Sequence, residues 1–63
     1  MKTLSKTNYD YILKMIANKD KINWIKSFCE GCGFDTNNYS SPVYIDDNKI
    51  TIRYRRENKY FYL

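Results

Sequence analysis

The chain has 63 residues, of which 43% are apolar and 17% are aromatic, and its formal net charge at pH 7 is +4. This composition excludes a disordered chain, and the length allows one small domain, residues 1–63, that hides only about 60% of the surface exposed on unfolding. Few residues remain to wall an active-site cleft once a core is built, so we expect a binding protein, not an enzyme, and no cofactor.

The first predicted helix covers residues 8–18. Thr7, followed three residues later by Asp10, has the pattern of an N-cap with an acidic residue in the first turn. Apolar residues recur at i, i+3, i+4 and i+7, which is the spacing of one helical stripe. The residues of this stripe are Tyr9, Ile12, Leu13 and Ile16.

A second helix is predicted over residues 21–32, with Asp20 as its N-cap. Gly31 and Gly33 then end it. The short connection makes the two helices a hairpin. We expect the apolar stripe of this helix, widened by Trp24 and Phe28, to enter the core, and its members are Ile22, Ile25, Cys29 and Cys32.

A polar loop follows, which we expect Phe34 and Tyr39 to pin to the body of the domain. Pro42 has no backbone N–H, so the next segment should begin as an edge strand. From there the pattern alternates with period two, which predicts three strands over residues 43–46, 49–56 and 59–63.

Two turns, Asp47-Asn48 and Glu57-Asn58, are predicted between these strands. With them, cross-strand partners and alternate residues put the apolar side chains on one face of a meander. The predicted inner pairs are Val43 with Ile52, Ile45 with Ile50, Ile52 with Leu63, and Tyr54 with Phe61.

The helix hairpin and the sheet each have one apolar side, and burying one against the other gives an α+β fold. It is a two-layer ααβββ domain, with the N-terminal helix hairpin packed on a three-stranded antiparallel meander. The other face of the sheet is predicted to hold the pairs Tyr44 with Thr51, Arg53 with Tyr62, and Arg55 with Tyr60.

All three arginines of the chain lie in the stretch RYRRENKYFY, among tyrosines. We predict a partner-binding face made by Arg53, Arg55, Tyr60 and Tyr62, with Tyr44 and Arg56 at its margin. Such a face suits a protein partner, where Tyr and Arg contribute strongly, or single-stranded DNA or RNA, where rings stack on bases and guanidinium groups meet phosphates. A solvated face, with rings covering arginine stems, is the third interpretation.

Cys29 and Cys32 have the spacing of half a zinc site. Tetrahedral zinc needs four ligands, and the chain has no histidine and no second cysteine pair. We therefore interpret both cysteines as small core residues beside a glycine stop and predict no metal site. A zinc ion clasped between two chains is the alternative, and a homodimer is also possible through the sheet.

The N-terminal stretch MKTLSKTNYDYILK contains no long apolar run, so we expect neither a secretory signal nor a membrane partner, and a cytoplasmic location. Abundant Lys, Asn, Ile and Tyr favour a low-GC genome. In size and residue usage the chain resembles accessory proteins of phages and mobile elements of low-GC bacteria, a group that includes anti-CRISPR and other anti-defence inhibitors. The resemblance implies a stoichiometric inhibitor or modulator of a host protein or ribonucleoprotein.

Overall fold

The computed structural model of the chain describes residues 3–63. Two helices come first: α1 (Lys6–Ala17) and α2 (Ile22–Gly31). Three strands follow and pair in the order β1-β2-β3: β1 (Val43–Asp46), β2 (Lys49–Tyr54) and β3 (Glu57–Tyr62). Both strand pairs are antiparallel. The predicted α+β class and the ααβββ meander are confirmed.

Helix α1 is capped by Ser5, whose side-chain oxygen accepts a hydrogen bond from the backbone N–H of Asn8 at 3.2 Å. The predicted cap, Thr7, is wrong because it lies inside the first turn. Capping at Ser5 places Leu4 just before the cap and Tyr9 four residues after it, and both are buried. This is the arrangement of a hydrophobic staple, which fixes the direction in which the chain enters the helix.

Helix α2 begins at Ile22, one residue later than predicted. Lys21 occupies the N-cap position without a side-chain hydrogen bond, so the prediction of Asp20 is wrong. The N–H of Asp20 instead donates to the carbonyl of Met15 at 3.0 Å, which satisfies an acceptor at the end of α1. The backbone of Asp20 therefore helps to cap the C-terminus of α1, and its side chain does not cap α2.

Trp24 is 68% exposed, so the expectation that it enters the core is wrong. Ile25 and Cys29 set the inward side of α2, and both are fully buried. Adjacent helical residues point about 100° apart, so Trp24 projects beside this stripe into solvent. Phe28 is half-buried and stacks on Tyr11 of α1, with ring centroids 4.8 Å apart.

The inner face of the sheet packs on the helices as predicted. Its fully buried members are Val43, Ile50 and Ile52, and they join Ile12, Ile25 and Cys29 in one core. Tyr9 of α1 stacks on Tyr54 of β2 with ring centroids 4.1 Å apart and an interplanar angle of 10°. This stack connects the helical layer to the end of β2, next to the turn that leads into β3.

The β1-β2 register agrees with the prediction at every pair, including Ile45 with Ile50 and Tyr44 with Thr51. The hairpin turns at Asp47, whose φ is 58°. Phe34 anchors the preceding loop and is 3% exposed. Tyr39 is 66% exposed and lies outside the core, where its ring packs edge-on against Tyr44 of the sheet.

The β2-β3 register differs from the prediction. Its turn is formed by Arg55 and Arg56, not by Glu57 and Asn58, because Tyr54 pairs with Glu57. The observed register pairs all six residues of β2 with all six of β3. The predicted one would leave Lys49 to Thr51 without partners on that side, so the observed register satisfies more backbone hydrogen-bonding groups.

The corrected register has two consequences for the inner face. Phe61 pairs with Ile50 and is half-buried against the core. Leu63 follows the strand and is 36% exposed, so its predicted pairing with Ile52 is wrong. Lys59 pairs with Ile52 instead, and its Nζ lies 5.6 Å from the centroid of the Tyr9 ring.

Candidate binding site

The side of the sheet away from the helices carries a group of tyrosines and cations that we call the outer face. Its central residue is Thr51, which lies between Tyr44 on β1 and Tyr60 on β3. Thr51 is only 8% exposed although it faces away from the core. The outer face consists of Tyr39, Tyr44, Asp46, Lys49, Thr51, Arg53, Asn58, Tyr60 and Tyr62.

One half of the outer face is built around Arg53. Its Nε donates to Oδ1 of Asn58, the cross-strand partner, at 3.3 Å. Its guanidinium carbon lies 6.0 Å from the centroid of the Tyr39 ring, and Tyr39 meets Tyr44 edge-on with centroids 5.2 Å apart. The loop before β1 thus adds a ring to the sheet and extends the aromatic surface past its edge.

The other half is built around Lys49. Its Nζ lies 4.8 Å from the ring centroid of Tyr60 and 5.8 Å from that of Tyr62. The two tyrosines are two residues apart on β3, so they project from the same side of the strand. They are 50% and 71% exposed, which leaves much of each ring open to a partner.

The predicted site residues divide into two groups. Tyr44, Arg53, Tyr60 and Tyr62 share the outer face, although Arg53 pairs with Asn58 and not with Tyr62. Arg55 does not pair with Tyr60, because Arg55 and Arg56 form the turn between β2 and β3.

Sequence reasoning missed Lys49 and Tyr39 as members of the outer face. The predicted register left Lys49 without a partner on β3, whereas it pairs with Tyr62. The predicted register leaves three residues of β2 without partners on β3. Counting them would have favoured the observed register, in which Lys49 joins the outer face. Tyr39 lies outside the strands, and no periodicity assigns a side to a loop residue.

The turn residues belong to a second feature, which we call the arginine cleft. It is a depression of about 520 Å³ at the end of the sheet next to the β2-β3 turn. All three arginines of the chain line it. Its full lining is Thr3, Leu4, Ser40, Pro42, Arg53, Tyr54, Arg55 and Arg56.

Few carboxylates accompany these cations. Among residues 3–63 the one ion pair joins Lys6 to Asp10 at 2.9 Å, and both side chains are mostly exposed. A hydrogen bond to Asp10 and the charge of that carboxylate raise the pKa of Lys6, while the charge of Arg55 lowers it. The three arginines have no such partner in the described part of the chain.

The two cysteines occupy different surroundings. Cys29 is fully buried, and burial raises the pKa of its thiol to about 12. Cys32 is half-buried and caps the end of α2. Zinc shared between two chains needs thiolates at a surface, and Cys29 does not meet that condition. Within residues 3–63 no three potential ligands come together.

Comparison with known proteins finds no matching family model, no similar curated protein and no similar solved structure. None of the helices in residues 3–63 has the length and apolar character needed to cross a membrane.

Proposed function

We propose that this chain is a small non-enzymatic binding protein whose outer face docks on an acidic surface of a protein partner. The observation that carries the proposal is the exposure of several tyrosine rings beside two cations, Lys49 and Arg53, that form no ion pair among residues 3–63. Tyrosine and arginine are frequent among the residues that dominate protein interfaces. A chain of this size acts by occupying its partner, as an inhibitor or modulator of a host protein or ribonucleoprotein would.

The charges of the outer face support an acidic partner. Lys49 and Arg53 are positioned by aromatic rings and by an amide, with no carboxylate bound to either. The strands place a single carboxylate on this side, that of Asp46, in the same row as Lys49. An approaching acidic group therefore meets little repulsion, and such complementarity speeds association more than it tightens binding.

The number of cations favours protein over nucleic acid as the partner. A single strand that stacked on the four tyrosines would bring a phosphate with each nucleotide, and its affinity would depend on neutralising them. The outer face offers Lys49 and Arg53 for this purpose, and Asp46 lies nearby. A surface rich in tyrosine with two cations at its centre matches a protein interface better.

Single-stranded DNA or RNA remains a second candidate because of one contact. Lys49 lies within 6 Å of the rings of both Tyr60 and Tyr62, which places a cation between two neighbouring stacking platforms. The net charge of +4 acts in the same direction. A labelled 15-residue oligonucleotide tests this candidate, whose affinity should fall with salt by a slope of about −0.7 per neutralised phosphate.

The proposal is tested by affinity capture from the lysate of a low-GC bacterium, with and without nuclease, followed by a binding titration with the purified captured protein. Replacing Tyr60 and Tyr62 together by alanine should weaken that binding by roughly thirtyfold, the loss expected when about 2 kcal/mol of interface energy is removed. Both side chains are at least half exposed, so circular dichroism should show an unchanged fold.

Tyr11→Ala provides the matched control. Tyr11 is 54% exposed but belongs to the helical layer, so its removal should leave affinity within about twofold if the outer face is the interface. Equal losses from both variants, or a loss from Tyr11→Ala alone, would assign the interface elsewhere. Capture that disappears with nuclease would favour the nucleic-acid candidate.

A further inference from the structure

The arginine cleft is bordered by all three arginines of the chain, and one of them, Arg53, also belongs to the outer face. Its volume of about 520 Å³ lies in the range of sites that hold small organic ligands. Its lining also includes the apolar residues Leu4 and Pro42, the aromatic residue Tyr54, and the hydroxyl-bearing residues Thr3 and Ser40. Among residues 3–63 no residue with a carboxylate side chain lines the cleft, whereas three arginines do.

Arg55 is held in the cleft by a stack of rings. Its guanidinium carbon lies 5.2 Å from the centroid of the Tyr54 ring, and the Tyr54 ring stacks at 4.1 Å on Tyr9. Tyr9 is buried in the core. A guanidinium laid on an aromatic face keeps the N–H groups at its edge available for an oxyanion, and less side-chain entropy is lost when one binds.

Arg53 is held by a different contact with the same result. Its Nε donates to Oδ1 of Asn58 at 3.3 Å, which fixes the plane of the group. No acceptor within residues 3–63 takes a hydrogen bond from its terminal nitrogens. Arg53 and Arg55 therefore both present guanidinium groups that neutral contacts orient and no carboxylate satisfies.

The turn itself indicates that these side chains serve a purpose other than stability. Arg55 and Arg56 have φ values of 51° and 66°, and a two-residue hairpin turn with two positive φ angles strongly prefers Asn-Gly. Bulky residues are strained in this conformation. A chain with eight lysines and seven asparagines nevertheless places two arginines at the two strained positions.

We infer that the arginine cleft is a binding site for a terminal phosphate group carried on a small organic body, with nucleoside monophosphates and diphosphates as the representative class. A phosphate dianion offers several oxygens at once, and arginine forks match such oxygens with paired hydrogen bonds. A carboxylate carries one charge and two oxygens, so it accepts fewer hydrogen bonds from the arginines of the cleft than a phosphate does. The apolar lining residues of the cleft would contact the organic body. The cleft should therefore bind such a phosphate more tightly than free inorganic phosphate.

The test is an isothermal titration of the full chain at low salt with AMP, ADP, adenosine and inorganic phosphate. We expect AMP and ADP to bind, adenosine to show no binding, and inorganic phosphate to bind more weakly than AMP. Equal binding of adenosine and AMP would overturn the proposal, because the phosphate would then be irrelevant. Binding of inorganic phosphate as tight as that of AMP would overturn the assigned organic body.

Variants of the turn give the sharpest comparison. The double variant Arg55→Asn with Arg56→Gly installs the favoured turn, so its melting temperature should rise while affinity for AMP falls by roughly tenfold or more, the loss expected for charge-assisted hydrogen bonds. Arg55→Lys with Arg56→Lys keeps both charges but loses the forks, and it should bind more weakly than the wild type.

The control variant Lys14→Ala with Lys21→Ala also removes two positive charges, but from exposed positions in the helical half of the chain. It should lose less affinity for AMP than the turn variant at the same ionic strength, because Lys14 and Lys21 do not line the cleft. A loss as large as that of the turn variant, or unchanged binding by the turn variant, would overturn the site. The Tyr60 and Tyr62 alanine variant should still bind AMP, which separates this inference from the proposed protein interface.

Discussion

Burial decides what the thiol of Cys29 can do. The side chain is fully enclosed by the core, and burial raises its pKa from an ordinary 9.0 to about 12. The thiolate is the reactive form of cysteine, so Cys29 behaves as a small apolar residue at neutral pH. Because folding raises the pKa of this thiol, its contribution to the free energy of unfolding is fully present below pH 9. That contribution is lost as the pH rises toward 12.

We predict that the two cysteines differ in alkylation. With the native protein at pH 8, iodoacetamide should modify Cys32 and leave Cys29 intact, whereas both should react in denaturant. Peptide mass spectrometry measures the two sites separately. The rate at Cys29 in the native protein should stay low as the pH passes 9, since the folded thiol does not ionise there. Rapid modification of Cys29 at pH 8 without unfolding would contradict its position in the core.

The two hairpins show how far local pattern determines an element. In the first, apolar spacing and turn residues agree, and every predicted pair is observed. In the second, moving the turn from Glu57-Asn58 to Arg55-Arg56 shifts the pairing but keeps each residue that remains in a strand on its predicted face. Alternation with period two cannot distinguish such registers, so pattern alone could predict the faces of Tyr60 and Tyr62 but not their partners.

The arginine cleft could not be predicted from the sequence for a related reason. Turn chemistry favours Asn over Arg at positive φ, so a rule based on propensity places the arginines in strands. The pairing of all six residues of β2 with β3 outweighs that preference and moves Arg55 and Arg56 to the turn. The cleft then depends on Leu4 and Pro42, which are distant in sequence and close in the fold.

The start of α1 gives a prediction at the scale of one element. Ser5→Ala should lower the free energy of unfolding by about 1 kcal/mol, because the N–H of Asn8 loses its side-chain acceptor. Thr7→Ala is the comparison, since Thr7 lies within the helix and is exposed, and its effect should be smaller. Urea denaturation followed by circular dichroism measures both. A larger cost for Thr7→Ala would move the cap back to the position that its sequence pattern suggested.

At the scale of the whole molecule, a small core leaves much aromatic surface outside. Tyr39, Tyr62 and Trp24 are each about two-thirds exposed or more, on both layers of the fold. A domain of this length has a free energy of unfolding of only about 3 to 9 kcal/mol, which comes mainly from the few enclosed side chains. Substitution of an exposed ring therefore costs little stability, whereas substitution of an enclosed side chain costs much of it.

Ile25 and Trp24 test this division because they are neighbours on α2 with opposite exposure. Ile25→Ala removes a fully buried side chain and should cost about 2 to 5 kcal/mol, which is a large fraction of the stability of a domain of this length. Trp24→Ala removes a larger side chain, yet it should cost less than about 1 kcal/mol because the indole is mostly in solvent. Far-UV circular dichroism during urea denaturation measures both without depending on the lost tryptophan. The reverse order of costs would mean that α2 is rotated by one residue, which would also remove Cys29 from the core.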